Sequence, residues 1–315
     1  MQVFRSIDGF PYEKNSHLTV GTFDGIHLGH QCIIQELVRR SQEKKDRSVL
    51  VTFHPHPQSI IRQKNDSMQL LTPLDEKLTI LENFNLDVVL IIPFTKKMLD
   101  MEPETFIHDV LVQYVGVYEF IIGYNHAFGR ERRGDVELIN ALGKRYHFSV
   151  DVVNPVQVEG DIISSTKIRQ MLSEGAVSKV NRYLGRNYRL EGVVKKGNNR
   201  GQKFGFPTAN IDVIGEQKVI PTNGVYAVLV TVEGDQYLGM TNIGYRPTVD
   251  GKHLEIEVHV HNFSGNLYHQ HIQIEFIQRI RDEKQFESVD ALVLQIERDR
   301  IRSIEMLSDD LRRQK

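Results

Sequence analysis

Cysteine is scarce and neither sign of charge is in excess. One cysteine, Cys32, occurs in 315 residues, which excludes an internal disulfide. Within the apolar run CIIQELV it reads as a packed helix residue, not a catalytic thiol. Lys plus Arg total 39 against 41 for Asp plus Glu, and the two signs are interspersed, so no nucleic-acid partner and no membrane surface is implied. The opening MQVFRSIDGF lacks an apolar signal core. No later window reaches the roughly 18 uncharged apolar residues of a spanning helix. A soluble, cytoplasmic protein is the expectation. Repeats and low-complexity segments are also missing. The length suffices for two domains, each with its own core.

Two textures divide that length. From residue 18 to about 182, apolar runs such as SVLVTF, VVLIIPF and YEFIIGY alternate with helical stretches such as CIIQELVRRSQEKK and PLDEKLTILENF. That rhythm predicts a parallel sheet wrapped by helices. From about 188, short strand-like runs broken by Gly, Asn and Pro predict an antiparallel barrel. Phe286 to Arg312 returns to helical spacing, with Ala291, Leu292, Leu294, Ile296, Ile301 and Leu307, and reads as a terminal helix on the barrel. The connection LGRNY at 184–188 is the candidate boundary.

The stretch VGTFDGIHLGH, Val20 to His30, runs from a strand through glycines into a helix that begins near His30. In an open parallel sheet, ligands sit beyond the carboxyl ends of strands, where a helix N-terminus offers N–H groups and a positive dipole end. Gly21, Gly25 and Gly29 permit close approach of a ligand. His27 and His30, three apart, can present both imidazoles to one anion. A zinc site would recruit His27 and His30 with His54 and His56 of TFHPHP, but no Cys or spaced carboxylate completes a ligand set. Simple capping and packing of the two imidazoles is the other alternative.

A second glycine loop, KKGNNRGQKFGFPTANI, carries Gly197, Gly201 and Gly205, and no Gly-Lys-Ser/Thr follows to make it a Walker loop. By itself it reads as a hairpin connection with Pro207 at a strand end. HLEIEVHVHNF alternates, placing Leu254, Ile256, Val258 and Val260 on one side and Glu255, Glu257, His259 and His261 on the other. An edge strand with a solvated face would look the same.

GTFDGIHLGH resembles the HxGH signature of nucleotidyltransferases. The chain is similar to the bacterial bifunctional riboflavin kinases and FAD synthetases through VTFHPHP (51–57), GYNHAFGRERRGD (123–135), ISSTKIR (163–169), GFPTANI (205–211), NIGYRPTV (242–249) and IEVH (256–259). The resemblance implies an α/β plus β architecture. A Rossmann-like FMN adenylyltransferase domain would span 1–184, and a β-barrel riboflavin kinase domain with its terminal helix 185–315. It also implies ATP as co-substrate, Mg²⁺, and riboflavin, FMN and FAD as substrates or products. His27 and His30 would contact the ATP phosphates with Gly21, Phe23, Asp24 and Gly29. Ser164, Ser165, Thr166 and Arg169 would serve the β- and γ-phosphates, although alone such a cluster is a helix cap with a basic turn. Asn125 would face the flavin, with His126 at a position where the family often has Phe. In the barrel, Gly197, Gly201, Gly205 and Pro207 would cover the nucleotide, Thr208 and Asn210 would hold Mg²⁺, and Glu257 would be the general base. Gln202 stands where an arginine is frequent, and His261 and Asn262 depart from the family pattern and inherit no role.

Two consecutive transfers follow: riboflavin plus ATP to FMN and ADP, then FMN plus ATP to FAD and pyrophosphate. A chain with one live site, or a flavin- or nucleotide-binding regulator without turnover, is the alternative. The intact His27, His30, Thr208, Asn210 and Glu257 speak against the regulator, since binding alone needs no base. Oligomeric state is not legible in the sequence.

Overall fold

The computed structural model describes residues 1–61, 69–124, 126, 128–129, 133–197, 205–214, 217–248 and 251–313. Their contacts divide the chain into two compact units, Met1–Ser165 and Thr166–Lys315.

In the first unit, strands β1 (Gln2–Phe4), β2 (Ser16–Val20), β3 (Arg47–His54), β4 (Val88–Pro93), β5 (Val117–Gly123) and β6 (Ser149–Val153) form one sheet in the order β1-β4-β3-β2-β5-β6. Every neighbouring pair in it is parallel. The apolar runs are continuous because both faces are covered. Val49, Val51, Val88, Leu90, Phe120 and Ile122 join one core cluster, while the alternating Leu50, Val89 and Ile121 join another. Helix α1 (Leu28–Lys44) leaves β2, α2 (Leu74–Leu81) precedes β4 and α3 (Val136–Tyr146) precedes β6. A small hairpin, β7 (Gln157–Val158) and β8 (Asp161–Ile162), follows. The chain runs outward from β2 to β3 and β4 on one side, and to β5 and β6 on the other. The β2–β5 junction is therefore the switch point where such sheets open a crevice.

Helices α4 (Ser165–Ser173) and α5 (Val177–Leu184) lead to the second unit. There β9 (Tyr188–Lys195), β10 (Ala209–Val213), β11 (Gly224–Val232), β12 (Asp235–Thr248), β13 (Gly251–Val260) and β14 (His271–Arg281) close an antiparallel barrel in the order β10-β13-β12-β11-β14-β9. Helix α6 (Val289–Arg313) packs on β11, β12 and β14.

Two features depart from the sequence reading. The compact units divide at Ser165/Thr166, ahead of LGRNY, because α5 is bound to the barrel. Its Val177, Val180, Tyr183 and Leu184 are buried, and Asn181 donates to the Phe276 carbonyl at 2.7 Å and accepts from the Tyr188 N–H at 2.9 Å. The terminal helix uses the expected stripe only in part: Leu307 is buried and Leu292 and Ile296 are half-buried, but Leu294 and Ile301 are exposed, and Ser303 and Asp299, four and eight residues before Leu307, turn inward with it. That face is polar because it meets charge. Asp299 accepts a forked pair of bonds from Arg281 of β14 at 3.1 and 2.7 Å.

These contacts set the limits of an independent barrel. A fragment beginning at Gly185 loses the α5 side chains, whose burial is worth about 1.5–3 kcal/mol each, against total stabilities of roughly 5–15 kcal/mol. A fragment of residues 166–315 is expected to unfold cooperatively in circular dichroism melts, and one of 185–315 to show no cooperative transition. Equal melting of both would remove α5 from the barrel's core.

Candidate nucleotide sites

In the first unit the site is built on a strained turn. After β2 the backbone passes through positive φ at Phe23 (46°), Gly25 (90°) and Ile26 (36°). This region is costly for side chains other than glycine's unless the surroundings enforce it. They do. Phe23 and Ile26 are buried in the core cluster below. The Asp24 carboxylate accepts the N–H groups of Leu71 and Thr72 at 3.2 and 3.0 Å. Lys77 of α2, buried, donates to the Thr22 carbonyl at 2.7 Å, and Ser165 donates to the Asp24 carbonyl at 2.8 Å.

The turn delivers His27 as the N-cap of α1, its Nδ1 accepting the His30 N–H at 3.3 Å. The two imidazoles stack with centroids 3.6 Å apart and planes 17° from parallel. Gly29 makes room for this, because a Cβ there would lie 3.2 Å from both Cε1 and Nδ1 of His27. No acidic residue occupies the first turn of α1, so its positive end is not neutralised from within the helix. Burial, then His27 and then Lys77 hold the His30 pKa well below its ordinary value, so its imidazole is neutral near pH 7. Its Nδ1 has no hydrogen-bond partner among the described residues.

The other expected contact residues take the following places. Asp24 is buried and its carboxylate serves backbone amides, which makes it a clamp on the turn. Phe23 likewise anchors, its ring edge-on to His30 at 5.3 Å. Gly21 lies against the Phe23 ring. The Ser165 hydroxyl proton is directed at Asp24, and Ser164 precedes the first residue of α4. Thr166 and Arg169 lie on α4 in the second compact unit. Asn125, Gly201 and Gln202 lie outside the described residues. His126 packs against Phe120 and Phe128 at 5.8 and 5.5 Å. No group of three His, Cys, Asp or Glu side chains able to hold a metal ion occurs among the described residues. Lys77 is the residue the sequence conceals, since LDEKL looks like any amphipathic turn.

The barrel site rests on register. Asn242 of β12 pairs with Glu257 of β13, Glu257 with Asn210 of β10, and Asn210 with Lys195 of β9. Directly paired residues share a face, so two amides, a carboxylate and an ammonium stand in one row across four strands. Asn242 and Lys195 join it unforeseen, although Asn242 opens the NIGYRPTV motif. Gly197 lies so close to Asn210 that a Cβ would overlap its Nδ2, which fixes the glycine at this end of the loop. Gly205 has a φ of 82° and nothing within 4 Å of its would-be Cβ. Pro207 and Thr208 line a cavity of about 180 Å³ with Val258, Phe263 and Tyr268. The polar face of β13 is not solvated at its far end: His259 and His261 are 8% and 4% exposed.

The chain thus combines a doubly wound sheet carrying a histidine turn at a helix N-terminus with a closed barrel carrying a row of amides and a carboxylate, the arrangement of a two-site, nucleotide-dependent transferase. The FAD synthetase family model matches residues 10–167 and the riboflavin kinase model residues 184–307, and the chain belongs to the bifunctional riboflavin kinase/FMN adenylyltransferase family. The bifunctional riboflavin kinase/FMN adenylyltransferase of Haemophilus influenzae is 36% identical, over 90% of this chain and 91% of its own. That of Escherichia coli K12 is 35% identical over 90% of each. A solved structure described as a macrolide-efflux protein from Streptococcus pneumoniae has a TM-score of 0.86 at 27% identity, covering 95% of this chain and 97% of its own. Among the described residues no helix is long and apolar enough to cross a membrane.

The buried imidazoles give the chain an acid sensitivity. Burial, then His259 and then Arg300 push His261 from 6.5 down to about 4. Between those values the unfolded chain binds a proton that the folded chain refuses, so stability falls as pH drops from 6.5 to about 4 and is untouched by this group above 6.5. His30 acts with the same sign. The melting temperature is expected to fall between pH 7 and 5, and less steeply in a His261→Leu variant. Identical slopes would show that His261 carries no such linkage.

Proposed function

We propose that the chain runs both reactions in succession, adenylyl transfer from residues 1–184 and riboflavin phosphorylation from 185–315, with α5 held structurally by the barrel. It is read as a cytoplasmic enzyme of small-molecule substrates. The observation that carries the reading is convergence: motifs distant in sequence meet, Asp24 with Ser165 in one unit and Asn210 with Glu257 in the other.

In adenylyl transfer a phosphate oxygen of FMN attacks the α-phosphorus of ATP and pyrophosphate leaves. No covalent enzyme intermediate is required, so the protein's part is alignment and stabilisation of charge on the leaving phosphates. A neutral His30 serves as a hydrogen-bond donor, and the amino end of α1 supplies the field. Gly21 and Gly29 let phosphate approach the backbone. Ser164, Thr166 and Arg169 are assigned to the β- and γ-phosphates, with Asp24 and Ser165 holding the turn. Asn125 is assigned to the flavin.

In the barrel, Glu257 takes the proton from the ribityl hydroxyl as it attacks the γ-phosphorus, and ADP leaves. The glycine loop at 197, 201 and 205 covers the phosphates with Pro207. Thr208 and Asn210 present a hydroxyl and an amide oxygen without a competing thiolate, which suits Mg²⁺ shared with nucleotide phosphate. When bound there, the ion neutralises phosphate charge. Lys195, beside Asn210 in the row, adds a cation on the same side.

Incubation with riboflavin and Mg-ATP, followed by separation of the flavins, tests the whole reading: FMN and then FAD are expected, and riboflavin alone would overturn it. His30→Ala should cut FAD formation from supplied FMN by about a hundredfold or more, the cost of one preorganised donor, and leave riboflavin phosphorylation intact. Unchanged FAD synthesis would end the phosphate role. Glu257→Gln should slow FMN formation by roughly a hundred- to ten-thousandfold while FAD is still made from supplied FMN. Equal loss of both activities would count against a base confined to the barrel.

A further inference from the structure

The alternation of β13 leaves a problem that the transfer chemistry does not use. His259 and His261 follow Glu257 on the polar side of the strand, yet both are buried. An imidazole removed from water needs partners for its ring nitrogens. His259 Nδ1 lies 2.8 Å from the carbonyl oxygen of Pro207. A carbonyl only accepts, so Nδ1 carries the proton and donates. Phe206 closes over the same ring, edge-on at 5.7 Å. Pro207 immediately precedes Thr208, and both line the barrel cavity.

His261 is fixed from the other side. Its Nε2 lies 2.7 Å from the Ser303 hydroxyl, which donates its own proton to the Arg300 carbonyl at 2.8 Å. The imidazole must therefore donate from Nε2. Its Nδ1 is left as a bare acceptor, buried and without a partner among the described residues. The two rings touch edge to face at 5.2 Å. A continuous series of contacts thus runs from α6 through Ser303, His261 and His259 to the residue before Thr208.

We propose that His259 and His261 are positioning residues for riboflavin phosphorylation, through which the terminal helix α6 sets the segment of Pro207 and Thr208 that leads into Asn210 of β10. The proposal rests on the kinase reading of the barrel and adds to it a dependence on α6. Strand β13 holds Glu257 and His259 two residues apart, so one rigid element fixes the proton acceptor and, through Pro207, the nucleotide turn opposite it. A histidine serving the core alone would tolerate any replacement that filled its volume. A positioning histidine requires the donor at Nδ1.

The test uses the full chain with riboflavin and Mg-ATP, and FMN adenylylation on the same preparations as a control for folding. His259→Leu should raise the KM for Mg-ATP tenfold or more and lower kcat severalfold, leaving adenylylation of supplied FMN unchanged. His259→Gln, which keeps a side-chain N–H donor, should restore most of the loss. Ser303→Ala, distant from the cavity residues, should shift the same KM about threefold in the same direction. In the His259→Leu background it should add nothing, since the relay is already cut. Kinetics of His259→Leu within twofold of the parent, failure of His259→Gln to rescue, or a Ser303→Ala effect that multiplies in full in the double variant would each overturn the proposal. If His259→Leu does not fold, the rescue and Ser303→Ala arms decide the question. A parent chain that forms no FMN would refute the kinase reading instead.

Discussion

A strand that buries the donors on its polar face must find acceptors for them, and β13 places that demand on the barrel half. One side of β13 is ordinary core: Ile256, Val258 and Val260 are buried apolar residues. The other side carries Glu257, His259 and His261, so whatever covers the last two has to be polar as well. That is why α6 turns Asp299 and Ser303 inward and leaves Leu294 and Ile301 to solvent. An apolar stripe would have stranded the His261 Nε2–H at a cost of about 1–3 kcal/mol. The Arg281–Asp299 fork then fixes how far along the barrel the helix can sit, since Nε donating to Oδ1 and Nη2 donating to Oδ2 of one carboxylate accept a narrow range of geometry.

The first unit meets the same constraint in its backbone. A turn that places Phe23 and Ile26 at positive φ persists only where the surroundings over-determine it, and here the carbonyls of Thr22 and Asp24 and the buried Asp24 carboxylate each have a donor. Thr22 receives Lys77, Asp24 receives Leu71 and Thr72, and its carbonyl receives Ser165. The consequence is electrostatic as well as mechanical. With the His30 pKa held down by burial and by the neighbouring His27 and Lys77, that imidazole carries no full positive charge near pH 7. The field comes from the end of α1, whose first turn holds no acid.

What the sequence disclosed and what it concealed follow from the range of the interactions. The parallel sheet, the barrel and the histidine turn were legible because they depend on local patterns: continuous apolar runs, alternation, and glycines ahead of a helix. Asn210 and Glu257 could be named, but their pairing with Asn242 and Lys195 could not, since register is fixed by barrel closure between strands far apart in the chain. Lys77 was hidden because a buried lysine in an amphipathic helix is spelled like an exposed one. The inward face of α6 was legible only in part, at Leu307, for a related reason. Apolar periodicity locates a buried stripe only if the surface opposite is apolar, and His261 and Arg281 make this one polar. The allegiance of α5 was invisible because Asn181 reveals its partners, Phe276 and Tyr188, only once β14 and β9 are in place.

Both sites set side chains on fixed elements beside glycines. Glu257 and Asn210 sit on neighbouring strands of a closed barrel, where cross-strand pairing fixes the spacing of carboxylate and amide. Gly197 lies so close to Asn210 that a Cβ would overlap its Nδ2, whereas at Gly205 the space a side chain would fill is open. In the first unit His27 is likewise fixed, as a helix cap against Gly29, while Gly25 supplies the positive φ that lets the chain enter the helix. The side chains proposed for proton transfer and phosphate contact are thus held on strands and helix ends, and the glycines stand where backbone and side chain crowd or the chain must turn.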